Sequence, residues 1–140
     1  MNRKIFSAAL LSFFVSATNA QKVIEKKKEN DEYKVFEKVE LEAGTDKRSW
    51  TTHINKCSAL PDSISKNIPA GTYIVTVQFI IDIHGSLGQI NALDDPGFGL
   101  AKRAENIVSS YKGEWRPAVQ CGRNVKAYRK QLITFVVPAQ

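Results

Sequence analysis

The clearest periodic pattern in the chain lies between Thr72 and Asp82. Apolar and polar side chains alternate there, which is typical of a strand with one buried face. The apolar positions are Tyr73, Val75, Val77, Phe79 and Ile81. Turn-forming residues follow at His84, Gly85 and Ser86, and Leu87 to Leu93 returns as a second strand. This pattern predicts an antiparallel hairpin.

Two further segments have helical spacing. Asp46 to Cys57 places Trp50 and Ile54 on the same side as Cys57, and Thr45 or Asp46 can cap its first turn. The second helix follows a break at residues 94–97 and ends at Gly113. Its apolar stripe consists of Leu100, Ala104, Ile107, Val108 and Tyr111.

The remaining segments complete a fold prediction. Tyr33 to Glu42 alternates weakly, as a short strand would, and Trp115 to Asn124 is predicted to be a loop. Ala127 to Val137 is rich in strand-forming residues. The order strand, helix, strand, strand, helix, strand predicts an α+β domain. We expect two helices packed on a small, mostly antiparallel sheet of about three strands.

The N-terminus has the three parts of a secretory signal peptide. Arg3 and Lys4 give a basic start, Ile5 to Ala17 is apolar, and Thr18 to Ala20 supplies a small-residue cleavage site. An uncleaved membrane anchor is the alternative, but the apolar stretch is shorter than the roughly 20 residues that span a bilayer. We therefore predict an exported chain that is cleaved after Ala20.

Charge adds little to the functional picture. The chain of 140 residues has a formal net charge of +6, which falls to +4 without Arg3 and Lys4. Such mild basicity is typical of an ordinary solvated surface, and export argues against a nucleic-acid partner. Residues 21–34 are dense in Lys and Glu and predict a solvated tether. The folded domain is expected over residues 35–140.

Cys57 and Cys121 are the two cysteines of the sequence. In an oxidising compartment an even count favours one disulfide between them, and two buried free thiols are the alternative. The thiols and the two histidines show no recognised ligand spacing, so neither a metal nor another cofactor is expected.

Seven short motifs follow one another along the chain. They are Leu60-Pro61, Gly71-Thr72-Tyr73, Asp82 with Gly85, Asp95-Pro96-Gly97-Phe98-Gly99-Leu100, Trp115-Arg116-Pro117-Ala118, Gly122-Arg123-Asn124-Val125-Lys126 and Ile133-Thr134-Phe135. In this combination residues 35 to 137 resemble the TonB C-terminal domain family, especially the version common in Bacteroidetes. The resemblance implies a TonB C-terminal-like fold.

The sequence departs from the family in three places. Leu132 stands where the Bacteroidetes pattern usually has Pro, and Ala43-Gly44-Thr45 replaces a common Pro-Gly-Gly. The Pro-rich spacer and the membrane-embedded N-terminal helix of a full TonB are not seen. We therefore expect an adaptor rather than a complete energy transducer.

The resemblance also implies a periplasmic peptide-binding strand. In the family an extended receptor segment, the TonB box, pairs with the C-terminal strand through main-chain hydrogen bonds. The matching positions here are Lys130, Gln131, Leu132, Ile133, Thr134, Phe135, Val136 and Val137. The expected partner is a TonB-dependent outer-membrane receptor or another envelope protein. A second copy of the chain, giving a homodimer, or the chain's own N-terminal segment could cover the same edge.

Two other kinds of functional site are to be considered in the sequence, namely a basic contact surface and an active site. The basic run comprises Arg116, Arg123, Lys126 and Arg129, and it indicates a solvated face or a contact patch for an acidic peptide or peptidoglycan. The alternative function is thus a soluble envelope protein that is not coupled to transport. No Gly-x-Ser-x-Gly motif is present, and no catalytic residue is predicted.

Overall fold

The computed structural model describes residues 34–139. The predicted signal peptide, and the predicted tether apart from Lys34, lie outside these residues. The elements in chain order are β1 (Val35–Phe36), β2 (Gly44–Thr45), α1 (Lys47–Ser58), α2 (Asp62–Ser65), β3 (Gly71–Ile81), β4 (Leu87–Ala92), α3 (Leu100–Ser109), β5 (Trp115–Arg116), β6 (Ala118–Gln120) and β7 (Arg123–Val137).

Five strands form one mixed sheet. Its order is β1-β7-β3-β4, and β6 also pairs with β7. The antiparallel pairing of β3 with β7 runs without interruption from Gly71 opposite Val137 to Ile81 opposite Ala127. The short β1 pairs parallel to β7, while β2 and β5 form a separate two-stranded ribbon.

The predicted fold class is wrong. Strand accounts for 40% of the described residues and helix for 25%, in a curled five-stranded sheet rather than two helices on about three strands. The predicted loop from Trp115 to Asn124 contains β5, β6 and the start of β7. Strands of two or three residues show no period-2 pattern, because they are defined by their distant partners and not by their own sequence.

The predicted hairpin is confirmed, and β3 is its central strand. Val75, Val77, Phe79 and Ile81 are each fully buried. The opposite face of β3 holds Thr72, Ile74, Thr76 and Gln78, which are exposed or half-buried. The alternation in the sequence therefore assigned the correct face of this strand to the core.

The two long helices cover the buried face of the sheet. In α1 the Asp46 carboxylate accepts a hydrogen bond from the Ser49 amide at 2.8 Å, which caps the first turn, and Trp50 and Ile54 are buried. In α3 the stripe of Leu100, Ala104, Ile107 and Val108 is buried. Both predicted helices are confirmed, although α3 ends at Ser109, before Gly113.

Aromatic rings join α1 to the sheet. The ring of Trp50 lies 4.8 Å from that of Tyr111 and 5.1 Å from that of Trp115, both edge to face. Trp115 in turn meets Phe79 at 5.4 Å. Such pairs contribute about 0.5–1.5 kcal/mol each beyond their buried area. The cluster therefore fixes α1 above β3 and β7.

Replacing Phe79 with alanine should lower the free energy of unfolding by about 3–5 kcal/mol, because the change leaves a cavity at the centre of the core. The midpoint of denaturant unfolding measures this loss. Leu132→Ala is the matched control, since Leu132 is 58% exposed. A loss below about 1 kcal/mol for Phe79→Ala would contradict the packing described here.

The β3–β4 turn is organised by Asp82 and Gly85. One Asp82 carboxylate oxygen accepts the amides of His84 and Ser86, each at 2.8 Å. Gly85 has a φ of +84°, and a methyl group there would overlap the Trp115 carbonyl oxygen. Partial burial raises the pKa of Asp82, but the Ser86 and His84 amides and the nearby charges of His84 and Lys126 outweigh it. The net effect holds that pKa below its ordinary value.

Asp82→Ala should destabilise the domain by about 1 kcal/mol at pH 7, because two backbone amides lose a charged acceptor. The pKa is lower in the folded state, so this stabilisation is complete at neutral pH and is lost as pH falls below about 4. Denaturant unfolding from pH 7 to pH 3 should therefore show the difference from wild type shrinking. Glu114→Ala, at an exposed side chain, is the control. A constant difference would exclude the carboxylate as its cause.

Candidate functional site

The outer edge of β7 is open over most of its length. One edge of this strand pairs with β3 along Ala127–Val137. The pairings with β1 and β6 involve only residues between Arg123 and Ala127. Among residues 34–139, no strand pairs with the outer edge from Tyr128 to Val137, although the segment from Glu37 to Ala43 lines a cavity together with Tyr128–Lys130. This segment contains every predicted peptide-binding residue.

Hydrogen bonds on the far side of β3 show which β7 residues direct their backbone outward. The Leu93 amide donates to the Thr76 carbonyl at 2.8 Å, so the backbone of Thr76 faces β4. Successive residues of a strand direct their backbone groups to opposite edges. Val75 therefore faces β7 and bonds with its register partner Ile133.

The alternate residues of β7 consequently present N–H and C=O groups to the open edge. They are Lys130, Leu132, Thr134 and Val136. The Leu132 carbonyl agrees with this assignment, because it accepts a hydrogen bond from the side-chain amide of Gln131 at 2.8 Å. We call these four residues the outward set.

A groove of about 220 Å³ runs between this edge and α1. Its lining residues are Trp50, Thr51, Ile54, Asn55, Ser58, Gln131, Leu132 and Thr134. The indole N–H of Trp50 donates to the Gln131 side-chain oxygen at 2.8 Å, which ties the helix to the strand at one end of the groove. The open edge therefore has a polar wall on its helix side.

The other side of the edge is apolar and solvent-facing. Leu132 is 58% exposed, Val136 is 63% exposed and Ile74 on β3 is 51% exposed. Ile74 is the register partner of Thr134, so it lies diagonally between Leu132 and Val136. We call these three residues the open-face patch.

The predicted basic run does not form one surface. The Arg129 guanidinium donates to the Ala43 carbonyl, lies 3.6 Å from the Glu42 carboxylate and stacks over the Trp115 ring at 5.5 Å. Because side chains alternate along β7, Arg129 and Lys126 point to opposite faces of the sheet. Arg129 therefore has an internal packing role, and only Arg116, Arg123 and Lys126 remain from the predicted patch.

The predicted disulfide is not formed, since Cys57 and Cys121 are both free. Cys121 precedes the first residue of β7, whereas α1 is tied to Gln131 and runs on past Thr134. At about 3.3 Å per residue, the strand between Arg123 and Gln131 alone spans about 26 Å. A disulfide requires Cα atoms within about 7 Å.

Cys57 instead contacts His53, one helical turn earlier. The thiol lies 3.9 Å from His53 Nδ1, and His53 Nε2 lies 2.8 Å from the Ile107 carbonyl. A carbonyl can only accept, so His53 Nε2 carries a proton in this contact. The spacing of four residues was the available signal for this contact, and the sequence analysis missed it. No cluster of three potential metal ligands occurs in residues 34–139.

Both thiols should react with iodoacetamide in the native protein without reductant, and intact-mass analysis should show two additions. Cys121 should react first because it is exposed while Cys57 is half-buried. Cys121→Ser is the control that leaves a single, slower addition. Material that gains no label before reduction and two labels after it would instead support the disulfide.

The described residues carry no helix that is long and apolar enough to cross a membrane. No known protein-family model matches the chain, and no curated protein matches it either. The resemblance to the TonB C-terminal domain family therefore stays a prediction. The geometry of the open edge carries the functional argument.

Proposed function

We propose that this domain is a periplasmic, TonB-like binding module that takes up an extended peptide as an added strand along Lys130–Val137. The partner is a TonB-dependent outer-membrane receptor or another envelope protein. The observation that carries the proposal is the open outer edge of β7, which presents the backbone of the outward set. The periplasmic location rests on the predicted signal peptide.

The backbone of the outward set provides most of the binding energy in this proposal. Each hydrogen bond gained on strand addition contributes about 0.5–1.5 kcal/mol after the loss of water is counted. Ordering a flexible peptide offsets much of that gain. A dissociation constant in the micromolar range, about −8 kcal/mol, is therefore expected.

The groove beside α1 provides a wall for an extended peptide along the β7 edge. A second copy of the chain, paired through the same edge, is the competing occupant and would make the domain a dimer in solution.

The peptidoglycan alternative has less support. It would require a continuous basic surface, but Arg129 is held by Ala43, Glu42 and Trp115. Of the remaining basic residues, Arg116 lies on β5 opposite Gly44, whereas Arg123 and Lys126 lie near the start of β7. None of them lines the groove. Strand addition at β7 is therefore the function that the geometry favours.

The test is an NMR titration of the domain with synthetic peptides from the N-terminal segments of TonB-dependent receptors. Thr134→Pro should weaken binding at least fivefold, because it removes an outward N–H from the peptide-facing edge. Thr72→Pro is the matched control. Thr72 is also an exposed strand threonine, and its backbone faces the other edge of β3. This variant should bind as wild type does.

In the wild-type protein the largest amide shifts should fall on the outward set. Thr134→Ala, which keeps the amide, should retain binding. A loss of binding in the proline variant is then not caused by the loss of the threonine side chain. Shifts concentrated between Arg116 and Lys126 on addition of peptidoglycan fragments, with none on β7, would contradict the proposal. They would favour the wall-binding alternative.

A further inference from the structure

We infer that the peptide accepted by β7 has apolar side chains at every second position, on the face that continues the open-face patch, and small polar side chains at the positions between. This inference rests on the proposed strand addition. It concerns which peptides are selected, whereas the proposed function concerns only where they bind. The claim about peptide selection and the claim about the place of binding can therefore be tested separately.

The register of an added strand fixes which peptide side chains meet the patch. Residues directly opposite one another on paired strands place their side chains on the same face, about 4.5–5.5 Å apart at Cβ. Leu132 and Val136 direct their backbone to the open edge and their side chains to the solvent-facing side. The peptide residues that pair with them therefore lie on that side too.

The patch provides an apolar surface for those peptide residues. Ile74 extends it onto β3, between Leu132 and Val136. These three side chains are each more than half exposed, and the polar side chains around them on the same face are Thr72, Thr76, Lys130 and Thr134. Apolar peptide side chains would remove part of this surface from water, and charged ones would not.

The intervening peptide side chains face a different environment. They point toward α1, into the groove walled by Thr51, Asn55 and Ser58. These residues follow one another at helical spacing along one side of α1 and offer hydroxyl and amide groups. The groove has a volume of about 220 Å³, which suits small polar side chains.

Two synthetic peptides separate the selection from the binding itself. In the first, valine and threonine alternate between terminal lysines, and in the second every valine is replaced by threonine. Wild-type protein should bind the alternating peptide about tenfold more tightly, because two apolar cross-strand pairs are added. Both peptides should produce amide shifts along β7.

The protein variant for this test is Leu132→Thr combined with Val136→Thr. It should bind the two peptides with equal affinity, which removes the preference for the alternating peptide. Leu41→Thr is the matched control, because Leu41 is 62% exposed and pairs with Val119 rather than with a residue of β7. That control should keep the tenfold preference.

Each outcome decides between the two claims. If both peptides bind wild type equally along β7, the proposed function stands and the side-chain pattern is overturned. If neither peptide shifts any amide of β7, both are overturned. Self-association of the wild type that disappears in the double variant would assign the open-face patch to a second copy of the chain and would also overturn the inference.

Discussion

The antiparallel pairing of β3 with β7 is the constraint on which the rest of this domain depends. It runs the whole length of β3, from Gly71 to Ile81, and it places the two most apolar strand faces side by side. Together those faces form the apolar surface on which α1 and α3 pack. A shift of one residue in this register would turn either Phe79 or Phe135 to solvent, so the core itself fixes the register.

The same pairing creates the candidate site. Since β3 occupies one edge of β7 and reaches its C-terminal end, the backbone of alternate residues must face the other edge. The helix above that edge then limits what can approach it. Trp50 ties α1 to Gln131 and leaves a narrow groove beside the strand. A packing interaction of the core thus also sets the shape of the binding edge.

The two ends of β7 have different roles. Its N-terminal part is covered by β1 and β6, and Arg129 links the strand to Ala43 and Trp115. Its C-terminal part carries the outward set and the open-face patch. Exposed edges are usually protected in monomeric proteins. The open edge beside three exposed apolar residues is the feature on which the proposed peptide binding rests.

The sequence by itself determined the parts of the fold that are local. Alternation between Thr72 and Asp82 identified β3 and its buried face, and helical spacing identified α1 and α3. These features depend on residues close together in the chain, where periodicity reports burial directly. Only the tertiary structure decided that the sheet has five strands, that Arg129 packs inward and that Cys57 and Cys121 lie far apart. Each of these depends on contacts between residues distant in sequence, and no local pattern of side chains encodes such contacts.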